Sequence, residues 1–170
     1  VDDGIKSMWN PALHPSAYWI IDTHVEYGWR LEIEEHGQFD VIGLVHSSGM
    51  NLPWKCKNKT WIPVGCTPGK NYVGLRDKIY DGVFIGHFHN NLAGPRIEML
   101  DTFFKAAPNF FFGNRTFIEM AEKFAESKIV FNRSINGEGG EGPNMRFFES
   151  LCSGSCVLTD RLPDIDKLGF

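Results

Sequence analysis

Along the chain, short unbroken apolar runs alternate with stretches in which apolar residues recur every three or four positions. The runs at 16–21, 39–45, 83–85, 109–113, 129–132 and 156–159 are too short for helices and read as strands, the continuous ones buried on both faces. Between them, 29–36, 97–104, 116–127 and 143–153 carry helical periodicity, with Ile97, Met99, Leu100, Phe103 and Phe104 on one inner face and Phe117, Met120, Ala121 and Phe124 on another. Strands alternating with helices of this length predict an α/β fold built from doubly wound parallel sheets. A weaker run at 60–65 is interrupted by Pro63, and Pro63 with Pro68-Gly69 predicts a linker. The boundary falls at 67–73, which divides the chain into 1–70 and 71–170.

The chemistry gathers where strands hand over to loops. In the segment 129–160 a strand runs into a glycine-rich loop at 133–142, then a helix over 143–153 and another strand. Pro143 suits the first helical turn and Gly154 the helix stop. Phe147, Phe148, Leu151 and Cys152 form the expected buried stripe, leaving Arg146 and Glu149 on a side that faces the loop or solvent. A helix start presents unpaired N–H groups and the positive dipole end, so an anion is its natural occupant. Arg146 adds a forked donor for phosphate oxygens. Glu149, one turn deeper, can accept two hydrogen bonds from a ribose diol. The plainer alternative is an Arg146–Glu149 ion pair on a solvated face, contributing only about 0.2–0.5 kcal/mol.

A second strand–loop–helix start lies at 78–97, where Gly86 permits a sharp exit and Arg96 falls on the first helical turn. A cation there is mildly opposed by the helix dipole, which favours an anionic partner beside it. His87 and His89 could share one face of an extended loop, but no third ligand completes a metal set, so no metal site is expected. Asp22-Thr23-His24 follows the first strand, on the edge where open α/β sheets keep ligands. The alternative is that Asp22 caps a turn and His24 bonds locally.

Glu141 and Glu149, with seven residues between them, resemble the two-glutamate signature of retaining glycosyltransferases of the GT-B fold. Met145-Arg146-Phe147-Phe148-Glu149, followed by Ser153-Gly154 and Leu158-Thr159-Asp160, resembles the CgeB-type, spore-maturation-protein-like branch of glycosyl transferase family 1. The resemblance spans 16–170 and is strongest over 128–160 and 81–96. It implies transfer of a sugar from a nucleotide-diphosphate sugar to an acceptor hydroxyl, with retention and without a cofactor or dedicated metal ion. Gly86, His87, Arg96, Asn144, Arg146 and Glu149 would bind the donor. Glu141 would sit near the donor sugar, and Asp22 and His24 across the cleft, as the catalytic set. The 1–70 segment would be the end of the acceptor-side domain and 71–170 a donor domain cut short, so the isolated chain is expected to bind donor better than it turns it over. The rival is a module that keeps the fold and binds nucleotide but transfers nothing.

Composition narrows the partners. The 170 residues carry a net charge of −4 with scattered lysines and arginines, which gives no electrostatic footprint for nucleic acid. No apolar run approaches the roughly 20 residues of a spanning helix, so the chain is expected to be at most peripheral at a membrane. Cys56, Cys66, Cys152 and Cys156 lack paired zinc spacing and are read as reduced thiols of a cytoplasmic protein. The acceptor, whether glycan, protein or small molecule, is not encoded in any readable motif.

Overall fold

The computed structural model describes residues 14–21, 27–86, 94–133 and 142–170. It divides into two compact units, Val1–Val64 and Gly65–Phe170. Each holds one all-parallel sheet alternating with helices, the Rossmann-like α/β arrangement that the periodicity predicts.

In the first unit β1 (Ala17–Ile20), β2 (Val41–Leu44) and β3 (Lys59–Trp61) pair in that order, with α1 (Tyr27–Gly37) crossing between the first two. Tyr18, Ile20, Ile42 and Leu44 project to one face and pack with Ile33 of α1, Phe39 and Trp54. Trp19, on the opposite face of β1, is 47% exposed. The chain between β2 and β3 forms a 3-10 turn at Ser47–Asn51, and the Trp54 indole N–H donates to the Gly49 carbonyl at 2.9 Å. Asp40, just before β2, accepts from the Ser16 amide at 2.7 Å and the Ser16 hydroxyl at 3.0 Å, and pairs with His14 at 2.7 Å. The first unit's sheet is thereby tied at its entry.

The second unit opens on α2 (Pro68–Asn71), a single turn where the sequence predicts a linker. Pro68 starts it without losing a needed N–H, and Asn71, almost fully buried, accepts from the Thr67 amide through its side chain at 2.8 Å. There follow β4 (Tyr80–Ile85), α3 (Gly94–Ala106), β5 (Phe110–Gly113), α4 (Phe117–Ala125), β6 (Ser127–Asn132), α5 (Met145–Cys152), β7 (Cys156–Thr159) and α6 (Pro163–Leu168). The sheet order is β5-β4-β6-β7.

Alternate residues of the central strands face opposite layers. Val83, Ile85 and Val130 pack against Met120 and Phe124 of α4 on one face. Phe84 and Phe131 pack against Leu100 and Phe103 of α3 on the other. The sheet is covered on both sides, which explains why β4 and β6 read as unbroken apolar runs.

Candidate functional site

The strand order fixes where a ligand would lie. From β4 the chain steps to β5 on one side and then crosses back to β6 on the other, so the direction of winding reverses between β4 and β6. In open α/β sheets the crevice at the carboxyl end of that pair is the binding position, because the two departing loops diverge there. Gly86 directly follows β4 and Asn132 ends β6, and the helices after both loops, α3 and α5, start from the same edge.

Gly86 donates its amide to the Gly113 carbonyl at 3.4 Å. A Cβ at Gly86 would stand 2.9 Å from the ring tip of Phe84, and its φ is not positive. Glycine is therefore suited here by space, not by the left-handed backbone that a sharp exit would need.

Helix α5 starts at Met145, two residues later than the expected start at Pro143. Asn144 is the N-cap, in extended conformation, and its side-chain oxygen accepts from the Phe147 amide at 3.3 Å. Pro143 lies outside the helix because capping needs a side-chain acceptor, which Asn144 has and Gly142 lacks. The other end agrees with the pattern: Gly154 adopts φ +77, a left-handed stop. Asn144, expected to bind donor, is thus also the residue that sets the helix start.

The buried face of α5 differs from the expected stripe. Phe147 is buried as predicted, whereas Phe148, Leu151 and Cys152 are half-buried, and Glu149 and Ser150 are buried in their place. The helix packs against β6, β7 and α4, so it is wedged between layers, and residues off the apolar stripe are covered as well. Glu149 is only 3% exposed, and its carboxylate makes no hydrogen bond or ion pair among the described residues. Burial pushes its pKa above the ordinary carboxylate value, and the charge of Arg146 pulls it back in part. Arg146 is half-buried with a buried Nε that makes no hydrogen bond. A solvated Arg146–Glu149 surface pair is therefore not what the helix carries. It carries an unmet donor, Arg146 Nε, in its first turn and the buried Glu149 carboxylate one turn deeper, on a helix that starts at the sheet's ligand edge.

Among the remaining sequence-derived candidates, Asp22, His24, His87 and Glu141 lie outside the described residues, as does the side chain of Arg96; the backbone of Arg96 is in the first turn of α3. Among the described residues no group of three or more His, Cys, Asp and Glu is placed to hold a metal ion. No described helix is long and apolar enough to cross a membrane.

Residues 87–168 match the model of a family described as glycosyl transferase-like. Over this stretch the chain is similar to glycosyl transferase-like domains. The match begins where β4 ends and closes at the last residue of α6, so it takes in both helices that start at the ligand edge. No curated protein matches the chain.

Two residues of the matched stretch at the same edge were not among the sequence-derived site candidates. Arg133 directly follows β6 and Asp160 directly follows β7, and Arg133 Nε lies 3.6 Å from an Asp160 carboxylate oxygen. Beside them the Asn132 side-chain amide donates to the Thr159 hydroxyl at 3.3 Å. The rule that picked out Asp22-Thr23-His24, polar residues just past a strand end, applies equally to Asn132-Arg133 and Thr159-Asp160.

A surface cavity of about 590 Å³ lies in the first unit, between the end of α1, the entry to β2 and the loop at 55–58. It sits at the amino end of that sheet, opposite the ligand edge. Its buried acid, Glu34, is already used: the amides of Lys55 and Cys56 donate to its two carboxylate oxygens. The cavity is a fold feature rather than a ligand site.

Proposed function

We propose that the glycosyl transferase-like domain binds a nucleotide-diphosphate sugar at the β4–β6 crevice and passes the sugar to an acceptor hydroxyl with retention at the anomeric carbon. The observation that carries the reading is the buried Glu149, within reach of the Arg146 charge, one turn below an Arg146 whose buried Nε makes no hydrogen bond, at a sheet edge suited to nucleotides. A buried carboxylate without partners is costly, by about 1–3 kcal/mol or more. A ribose diol supplies two donors to it and makes that cost part of ligand binding.

Arg146, with Arg96 on the first turn of α3, is assigned to the diphosphate. Cationic side chains and helix-start amides can offset the charge that grows on the leaving group, without a dedicated metal ion. Glu141 is assigned to the donor sugar, where a carboxylate orients hydroxyls or offsets positive charge at the anomeric carbon. Asp22 and His24 are assigned to the acceptor side, and the 1–70 segment to the acceptor-side domain of a GT-B pair. Gly86, His87 and Asn144 complete the donor side.

Calorimetric titration of Arg146→Ala with UDP, GDP and ADP, each against its nucleoside, tests the assignment. The expected result is a loss of about tenfold or more for a diphosphate and little for the nucleoside. Equal losses would make Arg146 structural. Product analysis with the corresponding nucleotide sugars separates transfer from mere binding.

A further inference from the structure

Cys66 directly precedes Thr67, the N-cap of α2, and Cys152 is the last residue of α5. The two helices pack against each other, and the Cys66 and Cys152 thiols share a hydrogen bond. Both cysteines are free and half-buried, whereas thiols that serve only as small apolar fillers are among the most deeply buried side chains. The backbone beside each is fixed by bonds of its own. The Thr67 amide donates to the side chain of the almost fully buried Asn71 at 2.8 Å, and the Ser153 amide closes α5 on the Glu149 carbonyl at 3.1 Å. Folding thus brings together two thiols that enclose most of the second unit's sequence. The other two cysteines are placed differently. Cys56 belongs to the first unit and donates its thiol proton to the Phe39 and Asn58 carbonyls, and Cys156 is exposed on β7.

We propose that Cys66 and Cys152 form a redox site, a dithiol that a small disulfide oxidant such as glutathione disulfide converts into an intramolecular disulfide. The Cys66 thiolate attacks one sulfur of the oxidant, the bond between the two glutathione sulfurs breaks, and one glutathione leaves as thiolate and takes up the proton that Cys66 gave to solvent. Cys152 then loses its proton, and its sulfur attacks the Cys66 sulfur of the mixed disulfide, which releases the second glutathione in the same way. Two protein thiols are oxidised, and one glutathione disulfide is reduced to two thiols. The order follows from the surroundings of the pair. Burial, and then the hydrogen bond and charge of Cys66, push Cys152 up to about 11, so Cys66 supplies the first thiolate. The new bond ties the chain entering the second unit to the end of the helix that carries Arg146 and Glu149. Closing so long a loop removes freedom from the unfolded chain, while thiols already in contact need little movement in the folded one. The site stands independently of the donor-binding reading.

Incubation of the full chain and of Cys156→Ser with glutathione disulfide, followed by alkylation and non-reducing peptide mass spectrometry, tests the site. Cys156→Ser removes the other thiol in the tryptic peptide that holds Cys152. The expected product in both is a chain lighter by two hydrogens, with the peptide 60–70 joined to the peptide 147–161. Its thermal midpoint should rise by about 8 °C or more and return on addition of dithiothreitol. Cys66→Ala should give neither the joined peptides nor the rise.

A chain that yields only glutathione adducts, a bond between Cys152 and Cys156, or chain-to-chain dimers overturns the inference. So does a joined form that melts no higher than the dithiol. Should Cys66→Ala not fold, the joined peptides of Cys156→Ser and their reversal by dithiothreitol carry the same decision.

Discussion

Glu149→Gln should make the protein more stable and its nucleotide binding weaker, a pairing of signs that follows from one side chain. Glu149 is 3% exposed, and burial and the Arg146 charge, with no hydrogen bond, set the environment of its carboxylate among the described residues. Burial strips it of most of its water, with the Arg146 charge in partial return. The amide of glutamine has nearly the same shape and no charge to desolvate, so stability should rise by about 1 kcal/mol, the lower end of the cost of an unsatisfied buried group. Part of the gain is lost because the Arg146 charge, which favours the ionised form, no longer has an anion near it. For a domain of this size the change is about 4–8 °C in the midpoint of a thermal scan.

The pH dependence has a definite sign. The folded pKa of Glu149 is raised above the ordinary value of 4.5, chiefly by burial, so the folded state takes up the proton more readily than the unfolded one. Its contribution to stability is complete below that value and is lost as pH rises through the raised folded pKa. The variant should show no such decline, and the two melting curves should diverge with rising pH. In titrations, a diol bound by a carboxylate loses about 1–2 kcal/mol when charge-assisted bonds become neutral ones, or about 5–30-fold in affinity. A variant that melts lower than the parent at pH 7 and binds the nucleoside equally well would refute the reasoning.

Other perturbations report on separate parts of the fold. Asn144→Ala removes the cap of α5 and should cost about 1 kcal/mol in chemical denaturation. Asn144→Asp keeps the acceptor and should leave stability intact while weakening diphosphate binding through repulsion, readable in the same titration. Asp40 is held down to about 2, first by the His14 hydrogen bond and then by the Ser16 amide and hydroxyl. Its stabilising effect should be full above the ordinary 3.8 and vanish as pH falls through about 2. Asp40→Asn should remove that part of the first unit's acid transition when followed by Trp fluorescence. Cys152 is pushed up to about 11 by burial and by its contact with Cys66, so mass spectrometry after iodoacetamide at pH 8 should find exposed Cys156 modified and Cys152 unmodified.

Strand identity was legible wherever an apolar run was unbroken. β4 and β6 announce themselves because Val83, Phe84 and Ile85, and then Val130 and Phe131, are covered alternately by α4 and α3. The parallel sense of the strands followed from the alternation of strands with helices. Periodicity failed on α5, where hydrophobicity named Phe148, Leu151 and Cys152 as the inner face. A helix lodged against two strands and two other helices buries polar residues off its apolar stripe as well, and Glu149 and Ser150 are two of them. Pro63 and Pro68 read as a linker, yet Pro68 opens a helical turn closed by the buried Asn71, because proline is as much a helix starter as a breaker. The Arg133–Asp160 pair was not legible as a pair, since its members are joined only by strand register. Their positions after strand ends were nonetheless visible.

Glu34 has a consequence for solution measurements. Its carboxylate accepts hydrogen bonds from the amides of Lys55 and Cys56, two residues in a loop where amides ordinarily trade hydrogen with solvent freely. Both should instead exchange as slowly as strand amides, at a rate set by the opening of α1 against β2. Glutamine at this position offers a single carbonyl oxygen, so one of the two protons should become fast while the other stays slow. That pair forms a built-in clock for the integrity of the first unit, which can be read while the second is titrated with ligand.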